Sequence, residues 1–133
     1  MLKYDQQKTQ FLNALLRFQE LLEPKTMVER DALIQRFEFT FDTGWKTLKT
    51  LLEEQYSVEA PTPLQAFQEA IRVGILDSLP VWLQMRDMRN LTSHSYSEKS
   101  AVDVTRSAKD FSDAFERMKA LFEKTISSYE SSS

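Results

Sequence analysis

One long apolar stripe limits what this sequence can fold into. Large apolar side chains recur at steps of three or four residues, at Leu33, Phe37, Phe41, Trp45, Leu48 and Leu52. Residues three and four apart share one face of an α-helix, so this spacing predicts a helix. The helix is expected to begin after Thr26, where Glu29 completes a capping box, and to reach Tyr56. It is about 45 Å long at about 1.5 Å per residue, so the other elements have to pack along it.

Four more segments have helical spacing, and none has the strict alternation of a β-strand. The first covers about residues 5–22, and the last carries apolar residues in helical register from Ala101 to Phe122. Between them and the long helix lie a short helix that opens at Pro63 and a fourth segment with Pro80 near its start. Long helices joined by short turns predict an all-α, antiparallel four-helix bundle with one extra short helix.

Composition sets the limits on the possible sites. The 133 residues correspond to one domain, and we assign residues 1–128 to the bundle and 129–133 to a disordered tail. Two glycines leave few tight turns for a sheet. The absence of cysteine excludes disulfides, a thiolate nucleophile and cysteine-bound zinc, and the single histidine excludes any site that needs two histidines from one chain. We expect no metal and no cofactor.

The surface of the molecule can be judged from charge and from apolar residues off the main stripe. No apolar run approaches the roughly 20 residues of a membrane span, and the N-terminus lacks a signal peptide, which predicts a cytoplasmic protein. The net charge of −3 argues against a broadly basic nucleic-acid binder.

Gly44, inside the long helix, indicates close approach of another helix. Phe39 lies off the main stripe, so a second buried face is expected, and homodimerisation supplies it most simply.

The stretch “RNLTSHSY”, residues 89–96, groups four residues that could form a site. Arg89 and Asn90 precede the only histidine, His94, and Tyr96 follows it. In an ideal helix, residues five apart are separated by about 140°, so the side chains of Arg89 and His94 do not converge there. They can meet if the helix ends or bends near Thr92, and the surrounding serines favour such an ending.

Arg89 and His94 together suit metal-free cleavage of a phosphodiester. Histidine exchanges a proton near neutral pH, and arginine forks onto phosphate. Asn90 could orient the histidine or bind a phosphate oxygen. A paired acid and base would need His94 from two subunits. The same residues also fit ordinary roles: His94 solvated or capping, Arg89 on helix-end carbonyls, and Tyr96 packed against the bundle. Composition and spacing leave this choice open.

Other charges near this stretch are given ordinary roles. Asp87 does not suit an approaching RNA, and we expect it either to pair with Arg86 or to hold Arg89 in place. The charged residues of the second and fifth helices are expected to be solvated faces.

Two segments carry a family resemblance. “RDALIQRFEFTFDTGWKTLKTLLEE”, residues 30–54, resembles the signature helix of the nucleotidyltransferase substrate-binding protein family, and “AFQEAIRVGIL” followed by “WLQMRDMRNLTSHSY” resembles its second half. That family belongs to the all-helical HEPN superfamily, whose hallmark is an arginine, a polar residue, and a histidine four to six positions after the arginine. Arg89, Asn90 and His94 match the hallmark. His94 and Tyr96 match the His-x-Tyr extension of the toxin-type branch. The likeness covers nearly the whole chain.

The resemblance implies a homodimer that works with a separately encoded, minimal nucleotidyltransferase. In the toxin-type branch the HEPN subunit is a metal-independent endoribonuclease with its site at the dimer interface. Arg89 would then stabilise phosphate charge, His94 would transfer the proton and Asn90 would support both. Tyr96 would accept AMP from the nucleotidyltransferase, which silences RNA cleavage because the added phosphate repels the RNA backbone.

A second implication of the resemblance is a subunit without chemistry of its own. The bundle is similar to the C-terminal helical domain of antibiotic nucleotidyltransferases such as kanamycin nucleotidyltransferase, which completes a substrate cleft. Under that hypothesis Arg89, His94 and Tyr96 line a substrate pocket. A purely structural interaction module is the third alternative.

Overall fold

Five α-helices make up the fold in the computed structural model, which describes residues 3–94 and 97–125. They are α1 (Lys3–Gln19), α2 (Met27–Tyr56), α3 (Pro63–Arg72), α4 (Leu79–His94) and α5 (Glu98–Lys124). No strand occurs in these two stretches. The prediction of an all-α bundle with four longer helices and one short helix is confirmed. The expected tail, residues 129–133, lies outside the described residues.

Thr26 caps α2 as expected, whereas the side chain of Glu29 binds one residue earlier than a capping box requires. Thr26 is the N-cap of α2, and its hydroxyl accepts the backbone N–H of Glu29 at 3.1 Å. The carboxylate of Glu29 accepts the backbone N–H of Lys25, one residue before the cap. Gly74 ends α3 with a φ of 81°, which favours glycine because side chains with a Cβ rarely adopt it.

The core forms where the apolar stripes of all five helices meet. Aromatic rings pack in pairs, and the rings of Phe37 and Phe111 stack with centroids 5.2 Å apart. Phe67 and Trp82 stack in the same way at 5.3 Å. The fully buried large side chains come from every helix: Tyr4, Phe11, Phe18, Phe37, Phe67, Trp82, Phe111, Phe115 and Phe122. The helix faces chosen from sequence spacing are therefore the buried faces.

Two helix boundaries differ from the sequence prediction. Helix α1 ends at Gln19 rather than near Leu22, because Leu21 turns back to donate its N–H to the carbonyl of Phe18. Leu22 still packs partly buried against the core, so apolar spacing continues past the helix end. Helix α4 runs on to His94 and does not stop near Thr92. No helix within the described stretches is long and apolar enough to cross a membrane.

Candidate active site around Arg89

Arg89 lies on α4 and reaches across to two acidic residues of α2. Its Nε donates to Oδ1 of Asp42 at 3.0 Å and its Nη2 to Oδ2 of Asp42 at 2.9 Å. Its Nη1 donates to Oε2 of Glu38 at 3.0 Å. Glu38 and Asp42 are four residues apart, so both project from the same side of α2. We call Arg89 and these two carboxylates the arginine clamp.

The clamp is partly shielded from water. The side chains of Arg89, Glu38 and Asp42 are 25%, 23% and 34% exposed. The two parallel hydrogen bonds to Asp42 fix the guanidinium plane as well as its position. Hydrogen bonding to Asp42 raises the pKa of Arg89 above its ordinary value, with further support from the charges of Asp42 and Glu38. Arg89 is therefore held in its charged form.

Two hydroxyl groups of α4 complete the surroundings of Arg89. Thr92 is buried, and its hydroxyl donates to the same oxygen of Glu38 at 2.6 Å. The Nη1 of Arg89 also donates to the hydroxyl of Ser93. The serine and threonine that were expected to end the helix instead lie within it and bind the clamp.

The other residues of the predicted site are placed as follows. Asn90 is exposed on α4 and makes no hydrogen bond to any described side chain. The structure gives His94 as the last helical residue, and its side chain lies outside what is described. Tyr96 is outside the described residues altogether. Asp87 pairs with Arg86 at 2.8 Å, which is one of the two roles expected for it. The convergence of Arg89 with His94 and Tyr96 stays a prediction.

Sequence reasoning missed Glu38 and Asp42, which were included among solvated charges of α2. That expectation is wrong for these two residues, because both are only partly exposed and bind Arg89. They follow Phe37 and Phe41 of the apolar stripe by one residue each. Two acids four residues apart at the edge of an apolar stripe form the signal that could have indicated a cation bridging two helices.

A cleft adjoins the clamp on the surface of α2. It encloses about 260 Å³ and is lined by Asp42, Phe39 and Lys46 of α2 together with Gln7 and Gln10 of α1. Phe39 is 57% exposed, which is unusual for a phenylalanine in the middle of a helix. Of the clamp residues, Asp42 thus lines this cleft together with the ring of Phe39.

Comparisons with known proteins agree on the fold and differ in the functions they name. The family described as “Nucleotidyltransferase substrate binding protein like” matches residues 6–124. A Haemophilus influenzae protein named “Probable ribonuclease HepT” is 33% identical over 82 residues, which are 59% of this chain and 56% of that protein. The chain thus matches little more than half the length of this relative.

Two solved structures have the same fold. A Thermus thermophilus protein superposes with a TM-score of 0.81 at 35% identity, over 86% of this chain and 99% of the other. A Haemophilus influenzae protein, described as revealing the fold of a substrate binding domain of a nucleotidyltransferase, superposes with a TM-score of 0.64. Its identity of 22%, over 91% of this chain and 97% of the other, supports the fold alone.

Proposed function

The chain belongs to the nucleotidyltransferase substrate-binding protein family, and from that membership we propose that it is the HEPN-type toxin subunit of a two-gene module. Its partner is a separately encoded minimal nucleotidyltransferase, and both act in the cytoplasm. The chain itself is a homodimeric, metal-independent endoribonuclease. The ribonuclease name of the Haemophilus influenzae relative supports this function.

The proposal rests mainly on Arg89, a cation held in place at the edge of the exposed surface that contains Phe39. Arg89 is held by four hydrogen bonds, and the nearby Phe39 is left uncovered. A second copy that covers Phe39 would also lie beside Asp42, because both line one cleft. If the two-fold axis of the dimer passes close to this cleft, dimerisation through this surface also brings two arginine clamps close together.

The reaction follows from the chemistry of these groups. His94 of one protomer takes the proton of a ribose 2′-hydroxyl, and the 2′-oxygen forms a bond to phosphorus. The bond from phosphorus to the 5′-oxygen breaks, and the histidine of the second protomer protonates that leaving oxygen. Arg89 stabilises the extra negative charge on the phosphorus oxygens, and Asn90 supports the histidine. The products end in a 2′,3′-cyclic phosphate and a 5′-hydroxyl.

RNA cleavage by the purified chain tests the proposal. We expect fragments with 2′,3′-cyclic phosphate ends in the presence of EDTA, and their loss in the variants Arg89→Ala and His94→Ala. Glu23→Gln is the matched control, because it removes a charge from an exposed ion pair with Lys109 and is expected to cleave normally. Equal RNA integrity in wild type and His94→Ala would reject the ribonuclease function.

Regulation through Tyr96 has its own test. We expect the cognate nucleotidyltransferase and ATP to add AMP to the Tyr96 hydroxyl, releasing pyrophosphate, and to abolish cleavage. Mass spectrometry of the tryptic peptide should show the added AMP in wild type and not in Tyr96→Phe. An unmodified peptide from an otherwise active transferase would contradict this part of the proposal.

A second candidate function is favoured by the charge of the clamp. One guanidinium and two carboxylates sum to −1, which disfavours a phosphate next to Arg89. This suits a non-catalytic subunit that completes the substrate cleft of its nucleotidyltransferase. Such a subunit would raise nucleotidyl transfer by the partner while leaving RNA intact, whereas the toxin would cleave RNA without the partner.

A further inference from the structure

The two carboxylates of the clamp hold Arg89 in different ways. Asp42 binds the Nε–Nη2 edge of the guanidinium with both of its oxygens. Glu38 binds Nη1 with a single oxygen. We propose that Asp42 is the residue that orients Arg89, and that Glu38 occupies the place of a substrate phosphate until RNA displaces it. This inference rests on the proposed ribonuclease function and concerns regulation of the same site.

The geometry makes Asp42 the permanent partner. A carboxylate that meets two parallel N–H groups fixes both the position and the plane of the guanidinium. A phosphate that displaced Asp42 would have to break both bonds at once. Asp42 also projects from the middle of the long helix α2, so it ties α4 to the most extended element of the fold.

The geometry makes Glu38 the exchangeable partner. It holds Arg89 through one hydrogen bond, and the accepting oxygen is shared with the hydroxyl of Thr92. If a phosphate oxygen takes the place of this carboxylate on Nη1, Glu38 keeps a hydrogen-bond donor in Thr92. The exchange therefore leaves no group in the clamp without a partner, which keeps its free-energy cost low.

Charge explains what the exchange accomplishes. With Glu38 in place the clamp carries −1 and repels polyanions. The exchange moves this carboxylate off Nη1 and leaves it on Thr92 without removing its charge, so an incoming phosphate has to overcome that repulsion as well as replace the hydrogen bond. Glu38 thus acts as a selectivity gate: a single anion competes poorly with it, and a strand that binds at several phosphates competes well.

Binding to an RNA that cannot be cleaved tests the gate separately from catalysis. The probe is a fluorescent single-stranded 2′-O-methyl oligonucleotide, and its affinity is measured at low salt. We expect Glu38→Gln to lower the dissociation constant by about three- to tenfold, since one charge close to the phosphate is removed while the amide can still accept from Arg89 and Thr92. Glu23→Gln removes a charge from a distant exposed pair and should change it less than about twofold.

Nuclear magnetic resonance tests the orienting role of Asp42. The Nε–H of Arg89 should exchange slowly with water in wild type and in Glu38→Gln, and quickly in Asp42→Ala, which keeps no acceptor for it, with all three proteins folded by circular dichroism. Unchanged or weaker oligonucleotide binding by Glu38→Gln would overturn the gate, and a protected Nε–H in Asp42→Ala would overturn the orienting role. Neither outcome depends on cleavage, whose absence in wild type would instead reject the ribonuclease function.

Discussion

A single side chain, Arg89, joins two helices of the bundle. Its partners are 47 and 51 residues away in sequence, on α2. Partial exposure screens the three charges, so the net stabilisation is smaller than the number of hydrogen bonds suggests. The clamp therefore contributes more to the position of the Arg89 guanidinium than to the free energy of unfolding.

Removal of the Arg89 side chain is expected to destabilise the protein moderately. In Arg89→Ala, Glu38 and Asp42 lose their cation and repel each other, which should lower the free energy of unfolding by about 1–2 kcal/mol. Urea denaturation measures the change. Arg72→Ala, which breaks an exposed pair with Glu69 within α3, should stay within about 0.5 kcal/mol. Equal losses in the two variants would contradict a special role for the clamp.

The candidate site could be predicted from sequence only where it is local. Arg89, Asn90, His94 and Tyr96 fall within eight consecutive residues, so spacing alone groups them. Glu38 and Asp42 could not be joined to Arg89, because which face of α2 meets α4 depends on how the helices cross. The position of Thr92 was also hard to predict. The polar residues around it favour a helix end, but its hydrogen bond to Glu38 gives it a partner inside the helix.

At the scale of the elements, α2 organises the fold. One side of α2 carries the apolar stripe, and the edge of that stripe carries Glu38 and Asp42, the two carboxylates of the clamp. Helix faces and caps were predictable because apolar spacing and capping residues act locally. The last residue of a helix was harder to predict. Helix α1 ends although apolar residues continue after it, and α4 continues through polar residues that normally end a helix.

Gly44 is expected to be required by the packing of α1 and α5 on α2. A Cβ at this position would lie 2.9 Å from Sδ of Met118 and 3.0 Å from Cε1 of Phe11. Phe11 is fully buried among other rings and cannot move away freely. Gly44→Ala gains up to about 1 kcal/mol of helix propensity but loses about 1–3 kcal/mol through overpacking. Thermal unfolding should show net destabilisation, and a raised Tm would contradict tight packing here.

The start of α5 is held by an ion pair that should respond to acid. Arg30 of α2 forks onto Glu98 at 2.8 and 2.9 Å, and these hydrogen bonds lower the pKa of Glu98 below its ordinary value. The stabilisation is present above that ordinary value and is lost as pH falls through the lower, folded pKa. Wild type should thus exceed Glu98→Gln in urea midpoint at pH 7, and the difference should shrink below about pH 4. A difference that grows on acidification would contradict the pairing.

At the scale of the whole molecule, the surface that contains Phe39 is where we expect two copies of the chain to meet. The chain has net charge −3 and its clamp carries −1, so a dimer would carry −6 and its two clamps −2. Dimerisation therefore does not add attraction for RNA. It would cover an exposed aromatic ring and supply the second histidine that the proposed acid–base pair needs.

A charge on the Phe39 surface should separate the protomers. Phe39→Asp places a carboxylate where the proposed interface is apolar, and sedimentation equilibrium should show a monomer or a dimer weakened at least about tenfold. Val28→Asp is the matched control: Val28 is 79% exposed on the first turn of the same helix, where an acid is tolerated. Dimerisation retained by Phe39→Asp would place the interface elsewhere.

RNA cleavage by a dimer with one altered protomer shows whether the two protomers share one site. Differently tagged copies allow purification of a heterodimer that carries His94→Ala in one protomer alone. If both histidines serve one shared site as acid and base, the rate should fall at least about tenfold below wild type, close to the doubly altered dimer. A rate of one half would mean that each protomer cleaves RNA independently, and it would contradict a shared site at the dimer interface.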